Sequence, residues 1–352
     1  IDGISFNDPF GLNSNGFGTM RNPISMDFVD QISIDVTPFD VSRGNATGGS
    51  IAVVTKSGSN DFHGTFYTTK RDQDNLGKLF DQKFSTFSEE VTTWTLSGPI
   101  IKDKLFFFVG YEEFEGSSPV LYGTADSGAP IPAETVTTAM ANEIADIARN
   151  VYGYEPGEIN GVSFPETQEQ YTAKIDWYIN DDHRAVLNVS RSEDVLPQKY
   201  NRGSTVFSNN YYIKPPEIDR ESLTIYSDWS DRLRTKIKYT TYDMFEDDRS
   251  VGDPLFPEAA ITVGGDTVYL GGDRYRGANR IEAYSEYLTF KADYDLGDHL
   301  ITAGFETEES DIYNLFIARY NGEIYFDSIE DFRTGMWSYL RFHLPISGTY
   351  DV

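Results

Sequence analysis

Strand-like segments of this chain are joined alternately by very short and very long connections, and this feature limits its fold more than any other. The short connections are Ile101–Lys104, Asn180–His183, Ser230–Leu233 and Leu296–His299. The long connections cover 73–90, 117–168, 197–219, 249–280 and 317 onward. Soluble sandwiches have no reason to collect long loops at one end, whereas transmembrane barrels have short turns on one side and long loops on the other. The pattern predicts an all-β fold, a transmembrane antiparallel β-barrel.

Apolar and polar residues alternate within these segments, as in strands whose two faces meet different surroundings. In 171–179, one face carries Tyr171, Ala173, Ile175, Trp177 and Ile179, and the other carries Thr172, Lys174, Asp176 and Tyr178. Segments 233–239 and 288–294 alternate similarly, while 105–115 is less regular because three consecutive phenylalanines place rings on both faces. A half-buried soluble sheet would alternate in the same way. In a barrel, Ile175 faces lipid and Lys174 faces the lumen, where replacement by Glu should be tolerated.

Three aromatic residues favour the barrel over the soluble sheet. Trp177, Trp229 and Tyr294 each lie a few residues before a short turn, on the predicted outward face. This position predicts an aromatic girdle at one membrane interface. The alternative is a set of ordinary core aromatics.

The composition excludes several classes of protein. The 352 residues include 56 acidic and 29 basic side chains, for a net charge of −27, so nucleic acid is not expected as a partner. The chain has no cysteine and therefore no disulfide or thiolate chemistry. The longest apolar run, Leu105–Val109, is far shorter than the roughly 20 residues of a membrane helix.

Acidic clusters recur where strands run into the long connections, at 112–115, 193–194, 246–248 and 306–311. In a barrel all four would lie near the outer rim. Glu112, Glu113, Asp247 and Asp248 are therefore candidate ligands for divalent cations shared with lipopolysaccharide, or for a cationic substrate. The alternative is a solvated acidic face that binds no ion.

One helix is predicted at about 134–151, inside the second long connection. The apolar residues that recur there at helical spacing are Val136, Met140, Ile144, Ile147 and Val151. A helix packed onto a surface loop explains the pattern, and a partner-binding helix is the alternative.

Motifs of enzymes and cofactor sites are missing from the sequence. It contains no Gly-rich phosphate loop, no His-Glu-x-x-His and no Gly-x-Ser-x-Gly. The four histidines are scattered. We therefore predict neither enzyme activity nor a bound cofactor, apart from divalent cations at the rim.

The first 58 residues differ from the rest and carry the clearest family resemblance. An Arg43-Gly44 pair and a Gly48-Gly49 pair precede an apolar strand that ends in Thr55-Lys56. This order resembles the C-terminal half of the plug of TonB-dependent outer-membrane receptors. Residues 60–64 resemble the entry into the first barrel strand, and 98–108 the first periplasmic turn of the Oar-like branch. The commoner plug has Glu-Arg-Ile-Glu where this chain has Asp-Gln-Ile-Ser at 30–33.

The resemblance implies two domains. Residues 1–58 would be the C-terminal part of a plug in the lumen, and residues 59–352 the N-terminal part of the barrel. Barrels of this kind have about 22 strands, of which this chain would supply about nine. Because an open sheet edge is untenable in lipid, we expect further strands, and we expect both ends to continue into a longer protein.

The resemblance also implies a function and partners. It indicates a transporter that moves a bulky substrate (peptide, protein, glycan or metal chelate) across the bacterial outer membrane. Outer-membrane lipid and lipopolysaccharide would surround it, the TonB–ExbB–ExbD system would supply energy, and a surface lipoprotein is a further candidate partner. By the same resemblance, the plug loop 7–22 rises outward and contacts ligand. Its candidate residues are Asn13, Asn15, Phe17 and Arg21; the alternative is a flexible polar loop.

Two other functions stay open from the sequence alone. One is a passive channel or surface scaffold built on the same barrel, with a plug that does not move. The other is a soluble secreted β-protein that binds glycans.

Overall fold

The computed structural model describes residues 1–344 except for 9, 12, 14, 38–48, 76–86 and 200–204. The strands are β1 (Val29–Asp35), β2 (Ser50–Thr55), β3 (His63–Asp72), β4 (Ser88–Ile101), β5 (Leu105–Pro119), β6 (Tyr122–Gly123), β7 (Ile131–Pro132), β8 (Ser163–Tyr178), β9 (His183–Gln198), β10 (Thr205–Val206), β11 (Tyr212–Lys214), β12 (Glu217–Ser230), β13 (Leu233–Asp247), β14 (Arg249–Ser250), β15 (Glu258–Val263), β16 (Asp266–Leu270), β17 (Asn279–Asp295), β18 (Leu300–Phe316), β19 (Glu323–Phe326) and β20 (Tyr339–Arg341). The helices are α1 (Thr138–Tyr152), α2 (Ile329–Thr334) and two 3-10 helices, Met26–Phe28 and Ser208–Asn210. None of the helices in the described ranges has the length and apolarity needed to cross a membrane.

Nine long strands form one antiparallel sheet in chain order: β3, β4, β5, β8, β9, β12, β13, β17 and β18. The turns at 102–104, 179–182, 231–232 and 296–299 all lie at one end of this sheet, and the long connections lie at the other. The predicted alternation of connections is therefore confirmed. Within the described ranges β3 and β18 are the two open edges of the sheet, so the strand number of a complete barrel stays a prediction.

Burial of polar and apolar side chains on the two faces of this sheet is the reverse of that in a soluble protein. In β8, Lys174 and Asp176 are only 5% and 2% exposed, whereas Ile175 and Trp177 are 36% and 45% exposed. Soluble proteins bury the apolar residues and leave charges in water. An apolar outer face and a polar inner face are instead what a barrel in lipid requires.

The predicted girdle residues lie on the outer face. Trp177, Trp229 and Tyr294 are all exposed, and each stands close to a short turn. This exposure argues against ordinary core aromatics and matches an interfacial belt.

The N-terminal segment, defined as the described residues of 1–58, packs on the inner face. Its strands β1 and β2 pair antiparallel. Phe28 is completely buried, with its ring edge-on to that of Phe108 at 6.0 Å. A Cβ added to Gly110 would lie 2.5 Å from the Phe28 ring, so the nine-stranded sheet, called the wall from here on, needs glycine at this position. The irregular aromatic pattern of β5 thus arises because Phe108 faces the N-terminal segment.

The long connections fold together at the other end of the sheet into an outer cap, made of the described residues in 120–162, 205–216, 248–278 and 317–344. Its five-stranded sheet has the order β10-β16-β15-β19-β20. A shared apolar core joins α1 to this sheet through residues such as Ile144, Ile261 and Phe332, each at most 1% exposed. The four connections therefore form a single packed unit.

The predicted helix is present as α1, with a later start. Thr137 caps its first turn by accepting a hydrogen bond from the amide of Met140, and Gly153 ends it in the left-handed conformation. Ile144 and Ile147 face the cap core as expected. Met140 and Val151 are exposed instead, because the cap core covers a narrower face of the helix than the spacing indicated.

Replacing Ile175 on the outer face by Arg should destabilise the assembled sheet, because a charge on the lipid face loses its hydration. The effect is roughly 2–4 kcal/mol at the bilayer midplane and becomes smaller towards the interface, where Trp177 lies. The matched control is Ile131→Arg in the outer cap, where the side chain is 43% exposed outside the sheet. Urea denaturation of both variants in lipid vesicles measures the difference. Equal stability of the two variants would contradict the assignment of the outer face to lipid.

Candidate functional site

Loop 7–22 of the N-terminal segment is held in shape by its own amide side chains. Asn7 forms an isolated antiparallel bridge with Phe17. The side-chain amide of Asn13 donates to the Phe17 carbonyl at 3.0 Å, and that of Asn15 donates to the Thr19 carbonyl at 2.9 Å. Asn13 and Asn15, two of the four candidate ligand contacts, therefore close the loop. Phe17, the third candidate, is half-buried and accepts the hydrogen bond from Asn13.

Arg21, the fourth predicted ligand contact, lies against the wall. Its guanidinium carbon is 3.4 Å from the centre of the Phe114 ring on the inner face of β5, a cation–π geometry. The structure thus gives each predicted contact residue a place in the loop or on the wall. Their contact with substrate stays a prediction.

The loop meets both the wall and the outer cap. The amide of Met20 donates to the Asp194 carboxylate at 2.6 Å. Lys214 of the cap donates to the side-chain oxygen of Asn13 at 3.0 Å and lies 3.3 Å from Glu246 of β13. This junction therefore joins the loop to the wall and to the outer cap.

Strand alternation separates the four predicted rim carboxylates. Glu112 faces inward and accepts hydrogen bonds from Thr93 at 2.9 Å and from Ser25 of the N-terminal segment. Its neighbour Glu113 lies on the outer face. Asp247 is likewise exposed, whereas Asp248 is only 5% exposed. No group of three or more potential metal ligands occurs among the described residues, and cation binding at the rim stays a prediction.

Asp248 is instead a buried acid at the base of the cap. One of its oxygens is 3.2 Å from Nε of Arg276, whose guanidinium stacks 4.0 Å from the Tyr212 ring centre. Burial, followed by the negative charge of Glu246, raises the pKa of Asp248 to about 8. Burial therefore favours the protonated form of this carboxyl, and the nearby Arg276 opposes that shift in pKa.

A buried ion network ties three of the cap connections together. Arg274 lies 2.7 Å from Glu258 and also contacts Glu323, and both carboxylates are fully buried. Arg319 binds Glu323 at 2.5 Å, and the amide of Asn210 donates to Glu258 at 3.2 Å. Burial raises the pKa of Glu258 to about 7 although Arg274 opposes the shift. Sequence analysis missed this network because its members are distant along the chain.

The N-terminal segment also binds the wall through Asp2. Its carboxylate accepts hydrogen bonds from the Thr55 amide at 3.0 Å and the Thr55 hydroxyl at 2.6 Å. Lys174 lies 3.8 Å from the same carboxylate and donates to the Thr55 carbonyl at 3.1 Å. Replacing Lys174 by Glu would place a carboxylate beside Asp2, so we now expect this change to weaken docking of the segment.

Comparisons with known proteins agree with this architecture. A family model described as an outer membrane beta barrel domain matches residues 54–342. The TonB-dependent transporter Oar of Myxococcus xanthus is 30% identical over 197 residues, which are 52% of this chain and 17% of Oar. The outer membrane transporter YddB from Escherichia coli has 13% identity and a TM-score of 0.58, over 92% of this chain and 41% of YddB.

The chain thus spans less than half of the length of either relative, and the likeness to YddB concerns the fold alone. Both relatives are transporters rather than enzymes. The soluble secreted alternative is wrong, because the family match and the reversed burial on the two faces of the sheet both place the strands in a membrane. This chain belongs to the outer membrane beta barrel domain family and is a transporter-like protein of the bacterial outer membrane.

Proposed function

We propose that the chain is part of a TonB-dependent outer-membrane transporter of the Oar-like branch. Residues 1–58 would be the C-terminal part of its plug, and residues 59–352 the first part of its barrel. The whole transporter would move a bulky substrate, such as a peptide, protein, glycan or metal chelate, across the outer membrane.

The observation that supports this proposal most strongly is that the N-terminal segment covers the polar inner face of a sheet whose apolar face is exposed. Lys174 and Glu112 of that inner face bind Thr55 and Ser25 of the segment. The polar inner face of a barrel does not need to be covered, because water can fill the lumen. A segment that covers it therefore closes the lumen. Because the segment is held by polar contacts, water can replace these contacts when the segment is released.

Energy for that release would come from the TonB–ExbB–ExbD system, as the partial match to Oar suggests. Lipid and lipopolysaccharide would contact the outer face. The outer cap offers the surface for a substrate or a surface lipoprotein, and loop 7–22 lies directly beneath it through the bond between Lys214 and Asn13.

A passive channel or scaffold is the second candidate, favoured by the burial of Phe28 against the wall. An apolar anchor of this kind suits a plug that never moves. The two candidates differ in whether the inner face becomes accessible when the inner membrane is energised.

Thr93→Cys tests the two candidates, because Thr93 is completely buried on the inner face beside Glu112 and the chain has no other cysteine. Cells carrying the full-length variant, with any cysteine outside this chain replaced by serine, are treated with a small thiol reagent with and without a protonophore. We expect modification to be several-fold faster in energised cells. Equal rates would support the passive candidate.

Leu255→Cys is the matched control for this experiment. Leu255 is 79% exposed in the outer cap, so modification of a thiol at this position should not depend on energy. A change in the control rate would show that the protonophore alters the reagent or the membrane rather than the plug.

A further inference from the structure

The inner face beneath the N-terminal segment carries cations without matching carboxylates. They are Arg220 on β12 and Lys236 and Lys238 on β13. Among the described residues these three cations form no ion pair with a carboxylate, although Lys238 donates a hydrogen bond to the Asp2 carbonyl at 3.1 Å. In a chain of net charge −27, unpaired cations gathered on one inner surface need an explanation.

Arg220 is the clearest of these cations. It is 2% exposed, and its guanidinium lies 4.0 Å from the centre of the Phe6 ring and 4.9 Å from that of Tyr242. Its Nε and one Nη have no hydrogen-bond acceptor in the described part of the chain. Buried guanidinium groups are normally paired or fully hydrogen-bonded, so Arg220 is poised for an acceptor that arrives from elsewhere.

Neighbouring polar groups lie in the same strip of the inner face. Ser222 is paired with Asn188 on β9, and within the described ranges the hydroxyl of Ser222 and the side-chain oxygen of Asn188 also have no hydrogen-bond partner. Thr224 is paired with Lys238 on β13. Positions 220, 222 and 224 follow one another on one face about 7 Å apart, so the hydroxyl of Ser222 lies between the Arg220 and Lys238 positions.

Two other carboxylates of the inner face are paired with other cations, and a third keeps its charge near the strip. Asp176 binds Arg184, and Asp293 lies 3.3 Å from Lys291. Glu306 on β18 accepts a hydrogen bond from the hydroxyl of Thr289 at 3.1 Å. The strip of Arg220, Ser222, Lys236 and Lys238 is called here the lumenal strip. Its three cations outnumber the nearby carboxylate of Glu306, since the carboxylate of Asp2 lies beside Lys174, and the strip therefore keeps a net positive charge.

We infer that the lumenal strip is an oxyanion-binding site, which takes carboxylate or phosphate groups of an anionic substrate once the N-terminal segment moves. This inference rests on the proposed transport function. Phe6 covers Arg220 in the closed arrangement, so the site is available only during opening. The guanidinium and ammonium groups bind the anion, and the hydroxyl of Ser222 donates a further hydrogen bond.

Ser222→Cys tests this site in the full-length protein in outer membranes. This chain has no other thiol, and any cysteine elsewhere in the full-length protein is first replaced by serine. Two methanethiosulfonates of similar size are compared, one carrying a sulfonate and one a trimethylammonium group. The sulfonate should react faster. Adding Arg220→Gln and Lys238→Gln should lower the ratio of the two rates roughly tenfold at low salt, and Arg220→Lys should retain it.

The matched control removes two arginines away from the strip, by Arg232→Gln in the turn 231–232 and Arg249→Gln in β14. It should leave the ratio unchanged. An excess of inorganic phosphate or of succinate should slow the sulfonate reagent, and the more effective anion identifies the preferred group.

Three results would overturn the inference: no modification by either reagent, a ratio that ignores Arg220 and Lys238, or protection by neither anion. The proposed function is judged separately, by whether modification of the Thr93→Cys variant depends on energy. Energy-dependent modification of that variant together with an unchanged ratio would reject the anion site and keep the transporter.

Discussion

Replacing Arg274 by Met is expected to destabilise the outer cap by up to about 3–5 kcal/mol above pH 7, where Glu258 is ionised, because removal of one partner leaves an uncompensated charge in the interior. Glu258 is fully buried and would lose its cation, whereas Glu323 would keep Arg319. Protease resistance of the cap across a urea series measures the loss in the intact membrane protein. The cap should unfold before the nine-stranded sheet, since the two have separate cores.

The pH dependence of this variant follows from Glu258. Its pKa in the folded cap is raised to about 7 from an ordinary value near 4.5, so the protonated form favours folding and stability falls as pH rises through this interval. Without Arg274 the pKa should rise further. The deficit of Arg274→Met should therefore shrink as the pH is lowered from about 8 towards about 5.

Arg249→Met is the matched control, since Arg249 is exposed in β14. A second variant, Arg274→Met with Glu258→Gln, should recover part of the loss because the uncompensated charge is removed. A loss below about 1 kcal/mol for Arg274→Met, in the range of exposed ion pairs, would show that the network does not hold the cap together.

Replacing Phe28 by Ala should weaken docking of the N-terminal segment by about 3–5 kcal/mol, the usual effect of removing a buried phenylalanine ring. Phe28 is fully buried between the segment and the wall, and its ring faces Phe108 and the open position at Gly110. In the Thr93→Cys background, reactivity of the introduced thiol across a urea series reports when the segment leaves. The midpoint should fall well below that of the parent Thr93→Cys protein.

Met26→Ala is the matched control, because Met26 lies in the same 3-10 helix and is 64% exposed. Gly110→Val disrupts the same contact by a change in β5, because the Cβ of valine would overlap the Phe28 ring. Both Phe28→Ala and Gly110→Val should release the segment. If the thiol at position 93 stays as protected in both variants as in the parent, Phe28 is not the anchor.

Strand alternation and loop lengths could be predicted because they depend on local rules. A residue such as Ile175 faces lipid because side chains alternate along a strand, and the register is then fixed by the short turns at 102–104 and 296–299. The exposure of Trp177 and Trp229 follows from the same rules. None of these features needs a distant partner.

The contacts of the candidate site residues could not be predicted in this way, because they do not follow from strand alternation or turn length. Asn13 and Asn15 are candidate ligand contacts because of the family resemblance of their loop, and their role in ligand binding stays a prediction. That their amides close the loop on Phe17 and Thr19 could not be predicted from the sequence. Glu112 and Glu113 are adjacent in sequence but lie on opposite faces of β5. A carboxylate cluster in sequence therefore becomes a site only if alternation keeps its members on one face.

An outer-membrane sheet with an apolar outer face, a polar inner face and long loops at one end follows from the sequence alone, because period-two alternation and turn length depend on neighbouring residues. The contacts of the inner face and the packing of the loops into one cap are visible only in the folded protein. Lys174 meets Thr55 across 119 residues of chain, and Arg274 joins Glu258 to Glu323. These contacts depend on desolvation and packing between distant segments, which leave no periodic signal in the chain.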